Sequence, residues 1–163
     1  MLVDFRGLFE RHSQDVFRFT LFLSGDPSLA EEITQETFVR AWVTSAEIRG
    51  GTVKAYLLTI ARNLFLAERK RTARQVAVDD AMTDPKPGPE AAVAGRMEVD
   101  AVLQALQALP EIERSALLMH VQDELPYAAV ATALGLSIAA VKVRVHRARI
   151  KLRQLCHVME DQP

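Results

Sequence analysis

The chain has 163 residues, with 20 Lys+Arg against 21 Asp+Glu and a formal net charge of −1, a length that suits one domain or two very small ones. An apolar fraction of 49% and a charged fraction of 25% exclude a wholly disordered or collagen-like chain. The lone cysteine, Cys156, excludes an intramolecular disulfide and a cysteine-rich zinc site. No apolar run nears the roughly 18 residues of a membrane helix, and residues 1–6 lack the basic-then-apolar order of a secretory signal. These features predict a soluble protein of a reducing, cytoplasmic compartment.

Residues 5–23 carry Phe5, Phe9, His12, Val16, Phe19 and Leu23 at alternating intervals of four and three, the face of a helix. Ser24, Gly25, Asp26 and Pro27 break it. Ser28 with Glu31 predicts a capping box opening a second helix that runs to about Thr44. After Gly50 and Gly51, Thr52 is the expected cap of a third long helix reaching the cluster Arg69–Arg74. From Val76 to Gly95 the periodicity disappears, and Pro85, Pro87 and Pro89 cannot continue a helix because proline lacks the amide donor. This stretch reads as an acidic, extended linker.

A second module opens near Met97. Val99, Val102, Leu103, Leu106 and Leu109 make a helical face that stops at Pro110, residues 112–121 make another helix, and Pro126 fits the first turn of a third ending at Leu134. Gly135, Leu136 and Ser137 form a tight turn with Ser137 as cap of a final helix, the helix-turn-helix pattern. No strand pattern is present. The chain is expected to be all-α, two small helical modules at 1–75 and 97–163 joined by a linker at 76–96.

The near-zero charge is unevenly spread. Lys54, Arg62, Arg69, Lys70, Arg71 and Arg74 are opposed only by Glu68, and Lys142, Arg144, Arg147, Arg149, Lys151 and Arg153 by no acid. Two basic segments in a neutral protein point to two contacts with a polyanion, although either cluster taken alone favours a solvated helix face. In the final helix Val141, Val145, Ala148, Leu152 and Leu155 form a narrow apolar stripe, leaving the cations for a phosphate backbone or a major groove. A purely structural helix usually mixes acids among its cations, and residues 128–159 contain none. Binding that neutralises phosphates weakens with salt.

Residues 125–137, followed by 141–149 (Val-Lys-Val-Arg-Val-His-Arg-Ala-Arg), resemble the promoter-reading end of bacterial extracytoplasmic-function sigma factors of the sigma-70 family. Residues 30–42 independently resemble their polymerase-binding helix, and residues 56–63 (Tyr-Leu-Leu-Thr-Ile-Ala-Arg-Asn) the motif that follows it. Two motifs in distinct modules at family spacing are far more specific than a helix-turn-helix alone. The resemblance implies that region 2 docks on the clamp helices of core RNA polymerase through Glu32, Gln35, Glu36, Phe38 and Arg40, where an acidic helix suits a basic protein partner. It implies that residues 45–51 and the helix after them open the −10 element and capture an unstacked base, with Lys54, Tyr56, Arg62, Asn63, Arg69, Lys70 and Arg71 as candidates. Region 4 places Ser137, Lys142, Arg144, His146, Arg147 and Arg149 at the −35 element. The linker, with Asp79, Asp80, Asp84 and Glu90, is either a mimic of nascent RNA near the polymerase active site or a solvated tether. A dedicated anti-sigma protein is a further partner that the likeness implies.

Several positions depart from the family pattern. Ala67 stands for a usual Asp, Ala140 and Val143 for hydroxyl residues of the recognition helix, and Pro126 for a capping Ser. Against an enzyme, His12, His120, His146 and His157 are scattered, and neither a phosphate-binding glycine loop nor a nucleophile motif occurs. Adjacent Cys156 and His157 are weak evidence for metal; no cofactor and no catalytic residue is expected. The remaining rivals are a helix-turn-helix repressor of free operator DNA and a protein–protein regulator of sigma shape that does not initiate.

Overall fold

The computed structural model describes residues 4–44, 53–78 and 97–160. Every regular element among them is helical: α1 (Phe5–Ser24), α2 (Pro27–Val43), α3 (Val53–Val78), α4 (Met97–Gln107), α5 (Glu111–Leu117), a π-helical turn (Leu118–Gln122), α6 (Tyr127–Leu134) and α7 (Ile138–Glu160). The all-α expectation therefore holds. Thr52, the Gly50–Gly51 loop and the acids of the expected linker lie outside the described residues.

The apolar stripe of α1 folds as its spacing dictates. Val16, Phe19 and Leu23 are at most 1% exposed, and each such side chain contributes about 1.5–3 kcal/mol on burial. Phe9, at the rim of that stripe, stays half-exposed and meets Phe38 edge-on at 5.0 Å. Gly25 ends α1 in the left-handed region at φ 71°, donating its amide to the Leu21 carbonyl. α2 begins two residues earlier than the expected capping box at Ser28. Its cap is Asp26, whose Oδ1 accepts from the Ser28 and Leu29 amides at 3.0 and 3.2 Å, with Pro27 in the first turn. Asp26 wins because its carboxylate reaches both orphan amides and Pro27 has none to satisfy. α3 continues helical through Val76, Ala77 and Val78, into the stretch expected to be extended.

In the second module the helix expected over 112–121 is shorter and changes pitch, with α5 ending at Leu117 and the π turn taking over. Glu124 follows at φ 58°, and Pro126 is the cap of α6 rather than a residue of its first turn. Gly135 at φ 67° makes the turn into α7, and Ser137 Oγ accepts from the Ala140 amide at 3.1 Å, the cap the sequence predicted. Arg114 is buried, its Nη1 donating to the carbonyls of Leu106, Gln107 and Leu109 at 3.3, 3.3 and 3.4 Å. It thereby satisfies the orphan acceptors at the end of α4.

One apolar core joins both groups of helices. Leu57, Leu58, Ala61 and Phe65 of α3 share it with Val16, Phe19 and Leu23 of α1, Leu106 of α4 and Val141 and Val145 of α7. α3 also packs against α6, and Ala55, Thr59, Ala129 and Ala133 line a cleft between the two helices. Gln107 Nε2 reaches the Phe22 carbonyl at 3.0 Å. The two modules are closed on one another.

Candidate nucleic-acid interface

α2 presents Glu32, Gln35, Glu36 and Arg40 to solvent, and Arg40 Nε pairs with Glu36 Oε1 at 3.2 Å. Both partners are exposed, so this pair adds little stability and leaves the acids available. Phe38 behaves differently. It is 2% exposed and lies edge-on to Phe5 and Phe9, so it shapes the helix from the core and does not touch a docking partner. The sequence reading missed the apolar part of this face. Val39, Trp42 and Val43 are 54%, 58% and 77% exposed, and the i, i+4, i+7, i+11 spacing puts Glu32, Glu36, Val39 and Val43 along one stripe. Trp42 is braced by Phe5 at 4.7 Å.

The candidate −10 residues of α3 divide into two groups. Asn63, Arg69, Lys70 and Arg71 are exposed near its C-terminal half, with Arg69 over the Phe65 ring at 5.7 Å. Arg71 pairs with Glu68 at 2.6 Å, which draws the Glu68 carboxyl below its ordinary range. Lys54, Tyr56 and Arg62 instead face protein. Tyr56 shares a hydrogen bond with Thr44 at 2.6 Å. Arg62 is held by Glu111 of α5 through two bonds, Nε to Oε1 at 2.7 Å and Nη2 to Oε2 at 3.1 Å, with both side chains under 15% exposed. Burial pushes the Glu111 carboxyl up, but the bonds from Arg62 and Ser115 more than reverse this, and it sits below the usual range. Lys54 Nζ lies 3.9 Å from Asp15 of α1 and 3.7 Å from Asp123 after the π turn. Burial drives the Asp123 carboxyl up to about 7, although Lys54 and Arg18 pull it down. Nearby, His12 Nδ1 is buried without a hydrogen-bond partner among the described residues, and burial lowers its pKa. Asp15, Glu111 and Asp123 are thus the site residues that sequence reasoning missed. Their type was visible, but their pairing across 49 residues of chain, in the case of Arg62 and Glu111, was not.

On α7 the stripe is as predicted: Val141, Val145 and Ala148 are buried and Leu152 half-buried. Ser137, Lys142, His146, Arg147 and Arg149 are exposed, whereas Arg144 is half-buried. At about 100° per residue, Lys142, His146 and Arg149 share one flank of α7, and Arg144 and Lys151 the other. Among the described residues Lys151 is the α7 cation held in an ion pair, its Nζ donating to Glu113 Oε2 at 2.9 Å. No group of three His, Cys, Asp or Glu positioned for a metal occurs among the described residues, and no single described helix is long and apolar enough to cross a membrane.

A helix with an acidic, partly apolar exposed face, a long cationic helix beside it and a capped basic helix in the second module thus lie on one chain. Residues 8–75 match the family model of Sigma-70 region 2, and residues 100–152 that of Sigma-70, region 4. The chain is 30% identical over 150 residues to the ECF RNA polymerase sigma factor SigM of Bacillus subtilis, covering 91% of this chain and 92% of that protein. It is 31% identical over 153 residues to SigL of Mycobacterium tuberculosis, covering 91% and 86%. Among solved structures it resembles the sigma factor RpoE in complex with the anti-sigma factor NepR from Bartonella quintana, with TM-score 0.83, 27% identity, and coverage of 99% of this chain and 100% of that one. CnrH in complex with the cytosolic domain of CnrY, at TM-score 0.71 and 23% identity over 97% and 89%, shares the fold. The chain belongs to the extracytoplasmic-function (ECF) RNA polymerase sigma factors.

Proposed function

We propose that this sigma factor docks on core RNA polymerase through the α2 stripe of Glu32, Gln35, Glu36, Arg40, Val39 and Val43. It reads the −35 element with the exposed cations of α7, and it opens the −10 element with α3 and the segment before it. The observation that carries this reading is the separation of charge on one chain: an acidic helix for a protein, and two basic helices in different modules for DNA. The protein works in the cytoplasm, has no catalytic residue of its own, and leaves the chemistry to the polymerase.

The geometry adds an order of events. Arg62 and Lys54 are occupied by Glu111, Asp15 and Asp123 in the closed arrangement, and a guanidinium paired with a carboxylate and only 11% exposed is screened from a phosphate. The modules therefore separate before α3 engages the −10 strand. The compact arrangement resembles that of a relative solved with its anti-sigma factor, which supports an inhibitory partner of this kind for the present chain. The deciding experiment is run-off transcription from a genomic library with purified core polymerase. New start sites that require the protein support the reading. Absence of new starts together with absence of core binding, but with salt-sensitive binding to free duplex, replaces it with a repressor.

A further inference from the structure

From the π turn to α6 the chain carries three local features that converge on one side chain. The backbone widens to π pitch at Leu118–Gln122, Glu124 takes a left-handed φ of 58°, and a histidine is folded back over the chain that follows it. Non-glycine residues at positive φ and π turns are both unfavourable locally and concentrate where a side chain must be aimed. Here the side chain is His120. Its Nδ1 donates to the Leu125 carbonyl at 2.8 Å, and its ring stacks on Tyr127, with centroids 3.9 Å apart and an interplanar angle of 19°. The Leu125 amide is held as well, donating to the Met119 carbonyl at 3.0 Å. Tyr127, the first residue of α6, is thus fixed by a ring behind it and a pinned backbone before it.

Lys142 Nζ stands 5.5 Å from the centroid of the Tyr127 ring, within the distance at which the negative face of an aromatic ring attracts an ammonium. Lys142 lies in the second turn of α7 and is exposed. A free lysine there samples many rotamers and must be ordered when it meets a phosphate or a base edge, at a cost to affinity. A ring placed under its head group does that ordering beforehand. We propose that Tyr127, backed by His120, is a positioning residue for −35 recognition: it aims Lys142 at the DNA and does not contact the DNA itself. This rests on the −35 reading of α7.

The test is a double-mutant cycle on the full chain bound to core polymerase. The probes are a promoter duplex recovered by run-off selection and the same duplex with its −35 segment replaced. Tyr127→Leu lowers the preference for the intact −35 duplex by about two- to five-fold, and Tyr127→Phe, which keeps the ring, restores it. In a Lys142→Ala background Tyr127→Leu has no further effect, since the residue it positions is gone. His120→Leu follows the same pattern, and provides a second route if Tyr127→Leu does not fold. An equal loss in both backgrounds overturns the inference, because Tyr127 then acts through the fold alone. No loss from Tyr127→Leu, with a clear loss from Lys142→Ala, overturns it while sparing the −35 reading. No loss from Lys142→Ala removes both.

Discussion

At the residue scale the informative pair is Arg62 and Glu111. Each is nearly enclosed, so removing one leaves a buried, uncompensated charge rather than a solvated one. Glu111→Ala is expected to lower the unfolding free energy by about 3 kcal/mol in urea denaturation, with Glu111→Gln losing less because one acceptor remains. The same substitution frees Arg62 for nucleic acid. The isolated Glu111→Ala protein should bind a single-stranded −10 oligonucleotide more tightly than wild type in fluorescence anisotropy, and weaker binding would mean that Arg62 has no part in that contact. On α2, Glu36→Lys reverses the charge in the middle of the docking stripe and is expected to abolish core-polymerase binding while leaving the melting temperature within a degree or two. Arg62 was legible in the sequence as a cation in a family motif. Its present partner was not, because nothing local to either residue specifies a contact 49 positions away.

At the element scale, periodicity carried the helices and local chemistry carried their ends. The α7 stripe, the Gly135 turn and the Ser137 cap follow from spacing and residue type. The start of α2 was misread because Ser28 and Glu31 mimic a capping box, while Asp26 beside Pro27 makes the better cap. Asp26→Ala is therefore expected to cost about 1 kcal/mol and Ser28→Ala almost nothing, a contrast that thermal denaturation of the two variants measures directly. At Gly135 an added Cβ meets nothing within 4 Å, so Gly135→Ala carries only the backbone cost of φ 67°, about 1–2 kcal/mol. The π turn had no signature in the sequence. A change of pitch within an apolar run depends on what the next segment packs against, which a period of 3.6 does not report.

At the scale of the whole molecule the two modules share a core and a cluster of charges, and the cluster titrates. Asp123 is raised to about 7 from an ordinary 3.8. A raised acid favours the closed fold most below its ordinary value, and that advantage is lost as pH climbs through about 7. His12, lowered by burial, works in the opposite sense below its ordinary 6.5. The comparison of Asp123→Asn with wild type isolates the carboxyl: the variant's advantage in melting temperature should be small at pH 4, grow through pH 5 to 7, and level off above about pH 8. A gap that does not change with pH would mean that Asp123 is ionised in the fold throughout. The two modules were visible in the sequence through their motifs and the prolines between them. Their closure was not, since it depends on contacts between distant segments, such as α3 against α6 and Arg62 against Glu111. The separation of Arg62 from Glu111 along the chain also has a consequence in time. At about 5–20 residues per second, synthesis presents α3 roughly 2 to 10 s before the carboxylate that will cover it exists. Every newly made molecule is therefore born open, and a polymerase or an inhibitor near the ribosome meets that form first.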